Sequence, residues 1–314
     1  MATPFSALLE DRGFVLLDGG LATELERRGH DLNHSLWSAR LIIENPDAIR
    51  NAHHSYLKAG ADCVTTASYQ ASVPGLVREG LSMAQAEEVL RESVTIACEV
   101  RDEFVQDDEI QGDSNHRPLV AASVGPYGAY LADGSEYVGN YEVSDDELYT
   151  FHRSRWGILH DVGADLLACE TIPSLREAKI LRTIIDETTG CHAWISFSCR
   201  DGQHISDGTP LSRCAGLFAD CEQVVAVGVN CTAPQHIGSL IECVRNGAPE
   251  KHVVVYPNSG QTYDAKNRDW TGSSENDFGR MCCAWRQRGA TLIGGCCGIG
   301  PKKIQEMCAA LLTE

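Results

Sequence analysis

Eight short apolar runs recur along the chain: Phe14–Leu17, Cys63–Ala67, Leu119–Val124, Leu166–Cys169, Trp194–Phe197, Val224–Val229, Val253–Tyr256 and Leu292–Ile293. Nearly all are followed by polar or glycine-rich residues and then by a segment of helical spacing. Strands that are apolar along their whole length, alternating with helices, belong to a parallel sheet covered on both faces. Eight such units predict a closed (β/α)8 TIM barrel, with a doubly wound open sheet as the alternative. The length of 314 residues suits one barrel. No linker, repeat or low-complexity segment divides it, so residues 1–314 are expected to form a single domain.

The helices are announced by their starts. Ser82-Met-Ala-Gln85, Ser144-Asp-Asp-Glu147 and Ser174-Leu-Arg-Glu177 fit the capping-box pattern, in which two side chains satisfy free N–H groups of the first turn. Leu148, Phe151, Ile158 and Val162 then recur at helical spacing, as do Leu175, Ala178, Leu181 and Ile185. Gly163 and Gly190 are expected stops, and Pro301 suits the first turn of a last helix carrying Ile304, Met307, Cys308 and Leu311 on one side. Two stretches break the rhythm. Gln106–Pro118 precedes the third strand and falls at the bottom of a barrel, whereas Gly125–Tyr141 follows that strand on the top face.

A formal charge of −18 repels phosphate backbones and anionic lipid surfaces, which argues against nucleic-acid and membrane partners. The N-terminus lacks the basic start and long apolar stretch of a signal peptide, so a cytoplasmic protein is the expectation. No feature speaks for a strong assembly; a monomer or weak homo-oligomer follows. In a reducing compartment the 14 cysteines are buried small residues, metal ligands or catalytic groups rather than a disulfide framework.

In a barrel of this kind the C-terminal ends of the strands face the active site. Those positions hold Asp18, Thr66, Ser68, Ser123, Glu170, Asn230, Cys231, Asn258, Cys296 and Cys297, with no lysine or arginine for Schiff-base or phosphate chemistry. Cys231, Cys296 and Cys297 lie at the ends of two strands, where three thiolates can converge on a tetrahedral metal and leave its fourth position open, the mark of a catalytic zinc. Adjacent cysteines on a regular strand point to opposite faces, so Cys296 and Cys297 can share a metal only where the strand ends, with Gly294, Gly295 and Gly298 giving backbone freedom. The alternative is that they are buried small residues, as expected of Cys282-Cys283 on a helix face. Asp18 and Glu170 are candidates for an acid–base pair or for holding an amino-acid ammonium, against a helix N-cap and a solvated loop. His53 and His54 read as structural, and His204 and Asp207 as loop residues within possible reach of a substrate.

Several of these segments resemble one family. Asp18-Gly-Gly-Leu-Ala-Thr-Glu-Leu-Glu-Arg-Arg-Gly, Thr66-Ala-Ser-Tyr-Gln, Ser123-Val-Gly-Pro-Tyr-Gly-Ala-Tyr-Leu-Ala-Asp-Gly-Ser-Glu-Tyr, Asp165-Leu-Leu-Ala-Cys-Glu-Thr, Val229-Asn-Cys, Tyr256-Pro-Asn-Ser-Gly and Gly294-Gly-Cys-Cys-Gly are similar to the zinc-dependent homocysteine S-methyltransferases. The likeness runs from about residue 12 to 311 and is greatest to stand-alone enzymes that use S-methylmethionine. Neither the C-terminal extension of betaine-dependent relatives nor the pterin and cobalamin domains of folate-dependent ones is expected.

The resemblance implies that Cys231, Cys296 and Cys297 bind Zn2+, which ionises the thiol of homocysteine for attack on a sulfonium methyl donor, S-methylmethionine or also S-adenosylmethionine, forming methionine. Asp18, Thr66, Ser123, Glu170 and Asn230 would orient the amino-acid ends, with Asp18 and Glu170 taking ammonium. Tyr127, Tyr130 and Tyr137 would offer ring faces to the sulfonium, or else pack a lid. Other readings are a zinc or amino-acid sensor without turnover, a thiol-redox barrel, and a methyltransferase with a selenium acceptor or another donor. One departure stands out. Family members follow the cysteine pair with Arg or Gly and then Thr-Thr-Pro, where this chain has Gly298-Ile-Gly-Pro301, leaving backbone N–H groups of the last helix to meet a substrate carboxylate.

Overall fold

The computed structural model describes residues 3–32, 38–107, 116–260, 262–264, 269–271 and 277–313. Eight parallel strands form its centre: β1 Val15–Leu16, β2 Cys63–Thr65, β3 Leu119–Val124, β4 Leu166–Ile172, β5 Ala193–Phe197, β6 Val224–Asn230, β7 His252–Tyr256 and β8 Ala290–Ile293. They hydrogen-bond in the order β1-β8-β7-β6-β5-β4-β3-β2, and a parallel bridge from Leu17 to Cys63 joins the two ends. The sheet is therefore a closed (β/α)8 barrel, not an open doubly wound sheet. A two-stranded antiparallel pair, Thr262–Asp264 with Asp269–Thr271, stands apart from it.

Two layers of apolar packing hold the barrel. Alternate strand residues point inward, and Val15, Leu17, Leu119, Ala121, Leu166, Ala168, Trp194, Ala226, Val254 and Leu292 fill the interior. Their neighbours on each strand face the helices and join the larger outer core. The fit is tight between β6 and β7: a Cβ built on Gly228 would lie 1.7 Å from the Val254 carbonyl oxygen. Gly228→Ala is expected to cost about 3 kcal/mol or to prevent folding, because backbone atoms of a central ladder cannot yield. Denaturant unfolding with an unchanged midpoint would contradict this.

The lower end of the barrel is closed by a helix that has no counterpart among the expected elements. Pro4–Arg12 starts at Thr3, whose side chain accepts the Ser6 N–H while Ser6 Oγ takes the Thr3 N–H. Serine replaces the usual Glu or Gln in this capping box, which hides it from the pattern. Phe5 and Leu8 enter the interior cluster, and Phe5 meets His252 at the start of β7 edge-on.

The other helix starts are as expected at Ser82 and Ser144, each with both reciprocal bonds. Ser174 caps its helix too, but Glu177 does not return the contact. Gly163 and Gly190 have left-handed backbones after their helices, and Pro301 opens the last helix, with Ile304, Met307 and Leu311 buried. Residues 108–115 of the expected lower loop lie outside the described residues. No helix among the described residues is long and apolar enough to cross a membrane.

Candidate metal centre and active site

The last inward position before the upper rim is polar on several strands: Ser123 on β3, Glu170 on β4, Ser196 on β5 and Asn230 on β6, all buried. β4 runs three residues beyond its apolar stretch, so Glu170 lies within the strand, at an irregularity between the paired Cys169 and Ile172, rather than in a solvated loop. Asp18 follows β1 and is likewise buried; Gly20, not Asp18, is the cap of the next helix.

Cys231 comes directly after Asn230, so on a continuing strand its thiol would point away from the barrel axis. A left-handed backbone, φ 46°, turns it back. Such a conformation is uncommon and strained for a residue other than glycine. Beyond β7, the next strand but one, β8, ends at Ile293, and Cys296 and Cys297 lie in the turn that follows. Only Gly298 of the flanking glycines is left-handed, φ 77°. Gly294 and Gly295 are needed for space instead, since a Cβ would come within 2.6 Å of Leu17 Cβ and 2.2 Å of Ile299 Cγ2 respectively.

These turns bring the three sulfurs together. Cys231 Sγ is 3.7 Å from Cys297 Sγ, Cys296 Sγ is 3.9 Å from Cys297 Sγ, and all three lie within 4.8 Å of one another. Among the described residues this is the one group of three or more metal-ligating side chains. Four sulfurs at a zinc–sulfur distance near 2.3 Å have an edge of about 3.8 Å, so the spacing fits a zinc tetrahedron with three corners supplied. Hydrogen bonds from Cys296 and Cys297 hold the Cys231 thiol well below its usual range, while the same sharing pushes Cys296 and Cys297 up. One thiolate is already favoured by the other two thiols.

Buried carboxyl groups surround this centre. Asp18 accepts the Thr65 N–H at 2.8 Å and the Thr65 hydroxyl at 3.1 Å, yet burial raises its pKa to about 8. Glu170 accepts the Ser123 hydroxyl, and burial raises it to about 7. Glu136 is raised to about 7 by burial, with the Cys231 charge adding to it, and its Oε2 is buried with no hydrogen-bond partner. Three acids held in apolar surroundings beside a thiol cluster make a place for cations.

Comparison with known proteins bears directly on this arrangement. The family model described as homocysteine S-methyltransferase matches residues 15–311. Homocysteine S-methyltransferase YbgG of Bacillus subtilis is 49% identical over 98% of this chain and 97% of its own. The chain belongs to the homocysteine S-methyltransferase family. The metallated crystal form of the homocysteine methyltransferase MmuM from Escherichia coli superposes with a TM-score of 0.87 at 42% identity, covering 98% of this chain and 99% of that one. Selenocysteine Se-methyltransferase of Brassica oleracea is 42% identical over 98% of this chain and 91% of its own. As a homocysteine S-methyltransferase the protein is an enzyme of methyl transfer with small-molecule substrates.

The departure at Gly298-Ile-Gly has a packing explanation in this homocysteine S-methyltransferase. Ile299 is wholly buried, and its carbonyl accepts the Gly20 N–H at 3.0 Å and the Tyr56 hydroxyl at 3.1 Å. Thr23 supplies a hydroxyl from another part of the chain, accepting the Gly298 N–H at 2.9 Å. The Ile299 N–H goes to the Cys296 carbonyl. Those two amides precede the Gly300 cap, so they are not among the first N–H groups of the helix Pro301–Leu312.

The remaining candidate residues divide by what they touch. Tyr137 places its hydroxyl 3.3 Å from Cys231 Sγ. Tyr127 and Tyr130 pack against each other and Phe151, with Arg78 over the Tyr130 ring. The Asn230 amide is occupied internally: its Oδ1 accepts from Thr171 N and Ser196 Oγ, and its Nδ2 donates to Thr171 Oγ1. It clamps a second left-handed residue, Thr171, φ 59°, next to Glu170. Thr66 Oγ1 accepts the Ser123 N–H at 3.0 Å and meets Ser68 Oγ at 2.7 Å, tying β2 to β3 beneath the rim.

His53 is buried and neutral, its pKa lowered by burial to about 4; His54 is half-buried. His204 pairs with Asp201 within its loop, and Asp207 accepts from the Thr209 amide and from the Leu175 amide at the start of the helix Leu175–Asp186. Glu136 and Tyr256 are site residues that strand-end positions did not single out. Tyr256 ends β7, with its hydroxyl between Trp194 Nε1 and Ser196 Oγ. Glu136 lies deep inside the long rim segment, where only its place beside Tyr137 in the family-like motif gave a signal.

Proposed function

We propose that residues 1–314 form one homocysteine-binding barrel that moves a methyl group from a sulfonium donor, S-methylmethionine before S-adenosylmethionine, to the sulfur of homocysteine. The observation that carries this reading is the thiol trio, spaced for a tetrahedral zinc and bordered by buried acids. A donor set of three thiols and no carboxylate suits a soft ion such as Zn2+. Held by Cys231, Cys296 and Cys297, zinc supplies the charge that keeps a substrate thiol ionised at neutral pH.

The chain's own residues do the rest by placement. Asp18, raised to about 8 by burial, and Glu170, raised to about 7, ionise fully when an ammonium group arrives and hold the amino-acid ends. Glu136, with an unpartnered buried oxygen, is a third acceptor for ammonium or for the approaching sulfonium. Ser123 and Thr66 fix Glu170 and the β2–β3 rim, and Asn230 fixes Thr171. Tyr137 steadies Cys231 and places an aromatic ring near the sulfur where a cationic donor must come. In the transfer the homocysteine sulfur forms a bond to the methyl carbon as the donor's sulfur–methyl bond breaks, taking the bonding pair and leaving a neutral thioether. Aligning the two sulfurs accounts for much of the rate, since oriented reactants react as though highly concentrated.

The test is label transfer from methyl-labelled S-methylmethionine or S-adenosylmethionine to homocysteine, with and without a zinc chelator, and with selenocysteine as a parallel acceptor. Chelator-sensitive labelling of methionine, faster from S-methylmethionine, is expected. Absence of transfer from both donors by zinc-loaded protein would contradict the proposal, and faster labelling of selenocysteine would shift the acceptor.

A further inference from the structure

Outside β4, the helix Leu175–Asp186 carries a carboxylate whose bonding is unusual for its position. Glu177 stands third after the Ser174 cap, and its N–H is accepted by Ser174 Oγ at 3.2 Å. A glutamate in this place ordinarily reaches back to the N–H of the cap residue. Ser82 and Ser144 receive that contact from Gln85 and Glu147, but Ser174 does not. Glu177 Oε1 instead accepts the Tyr127 N–H at 2.6 Å and the Nε2–H of His152 at 2.7 Å, with the Glu177 and His152 side chains wholly buried.

Tyr127 opens the short helix Tyr127–Leu131, whose first N–H groups have no partner within their own turn. The next residue, Gly128, lies directly on the backbone of the returning chain: a Cβ there would be 2.3 Å from Glu136 N and 2.7 Å from Glu136 Cα. Glu136 and Tyr137 follow, and Tyr137 reaches Cys231. Contact therefore runs without a gap from the outer helix through Tyr127 and Gly128 to the two residues that overlook the thiols. Arg155 adds an anchor at the start of the same segment, Nη2 donating to the Gly125 carbonyl at 3.0 Å.

We propose that Glu177 is a positioning residue for methyl transfer, setting through the Tyr127 amide and Gly128 where Glu136 and Tyr137 stand above the thiol centre. This rests on the reading of that centre as the homocysteine site. What matters is an accepting oxygen in the right place, not its charge, so glutamine should serve and alanine should not.

The test compares Glu177→Ala, Glu177→Gln and Gly128→Ala with the full wild-type chain, measuring zinc content, kcat and KM for homocysteine per bound zinc, and amide hydrogen exchange. Glu177→Ala and Gly128→Ala should retain zinc yet lose about tenfold or more in kcat/KM, since small misplacement near reacting atoms is costly. Faster exchange should be confined to residues 125–141 in Glu177→Ala, and Glu177→Gln should stay within about threefold of wild type on the same free-energy scale. Wild-type kinetics per zinc in either alanine variant would overturn the proposal, as would equal loss in Glu177→Gln and Glu177→Ala. If Glu177→Ala does not fold, Gly128→Ala and Glu177→Gln decide. Failure of the homocysteine reading shows differently, as a wild-type protein without transfer, and exchange in Glu177→Ala still decides the anchoring.

Discussion

Cys297→Ala is expected to leave a folded protein that no longer retains zinc and has lost at least about 10³-fold in methyl transfer, because two thiols cannot hold the ion as three do. The fold has little stake in this side chain. Cys297 contributes its carbonyl, not its sulfur, to the turn, accepting the Ser259 N–H at 2.9 Å. The sulfur's neighbours are the other two thiols, 3.7 and 3.9 Å away. Cys282→Ala is the matched control. Its sulfur is buried on the helix Phe278–Gln287, where it meets the Gly279 and Met307 carbonyls, so its loss costs packing while zinc and turnover stay. Metal analysis of both purified variants with a turnover assay decides the matter. Full activity in Cys297→Ala, or equal zinc loss in both, would remove the basis for the metal centre.

The second large effect is expected of Asp18→Asn, in opposite directions for function and stability. The carboxylate has its pKa raised to about 8 by burial, so the folded protein keeps a proton that the unfolded chain has already released. Stability from this group is therefore full below the unfolded value, near 3.8, and is lost as pH rises toward about 8. Asparagine removes the titration. It can keep the Thr65 contacts, since one oxygen of Asp18 already lies within 3.1 Å of both the Thr65 N–H and hydroxyl. The zinc-free variant should match wild type in acid and exceed it by a few kcal/mol near pH 8. Homocysteine binding should fall by about 10²-fold, as expected for removing the charged partner of a buried ammonium. Thermal unfolding across pH 4–8 and the KM for homocysteine check both halves. A variant that is less stable at high pH would contradict the buried, proton-holding carboxyl, and unchanged homocysteine binding would show that Asp18 faces no cation.

The barrel was legible because a fully covered parallel strand is written in consecutive apolar residues. Leu119–Val124 is an example: its run and its strand coincide at both ends. The apolar run stops short of the end of β4 because Glu170 and Thr171 are polar, although Ile172 returns to the ladder opposite Phe197 after a register shift. A site residue at a strand end looks like the start of a loop. The thiol trio could be placed from strand ends, but the left-handed backbone that turns Cys231 inward left no mark, since no glycine stands there. Asn230 carried a polar side chain at the right height, and only its contacts with Thr171 and Ser196 show that it serves the frame. Glu177 illustrates the same limit. Its capping pattern was visible, whereas its pairing with an amide 50 residues earlier depends on the closed barrel.

X-ray absorption at the zinc edge, on the loaded enzyme with and without homocysteine, tests the metal centre most directly. Three sulfur neighbours at about 2.3 Å in the free enzyme and four after homocysteine is added is the predicted result. A first shell unchanged by homocysteine, or one poorer in sulfur than the three cysteines require, would contradict it.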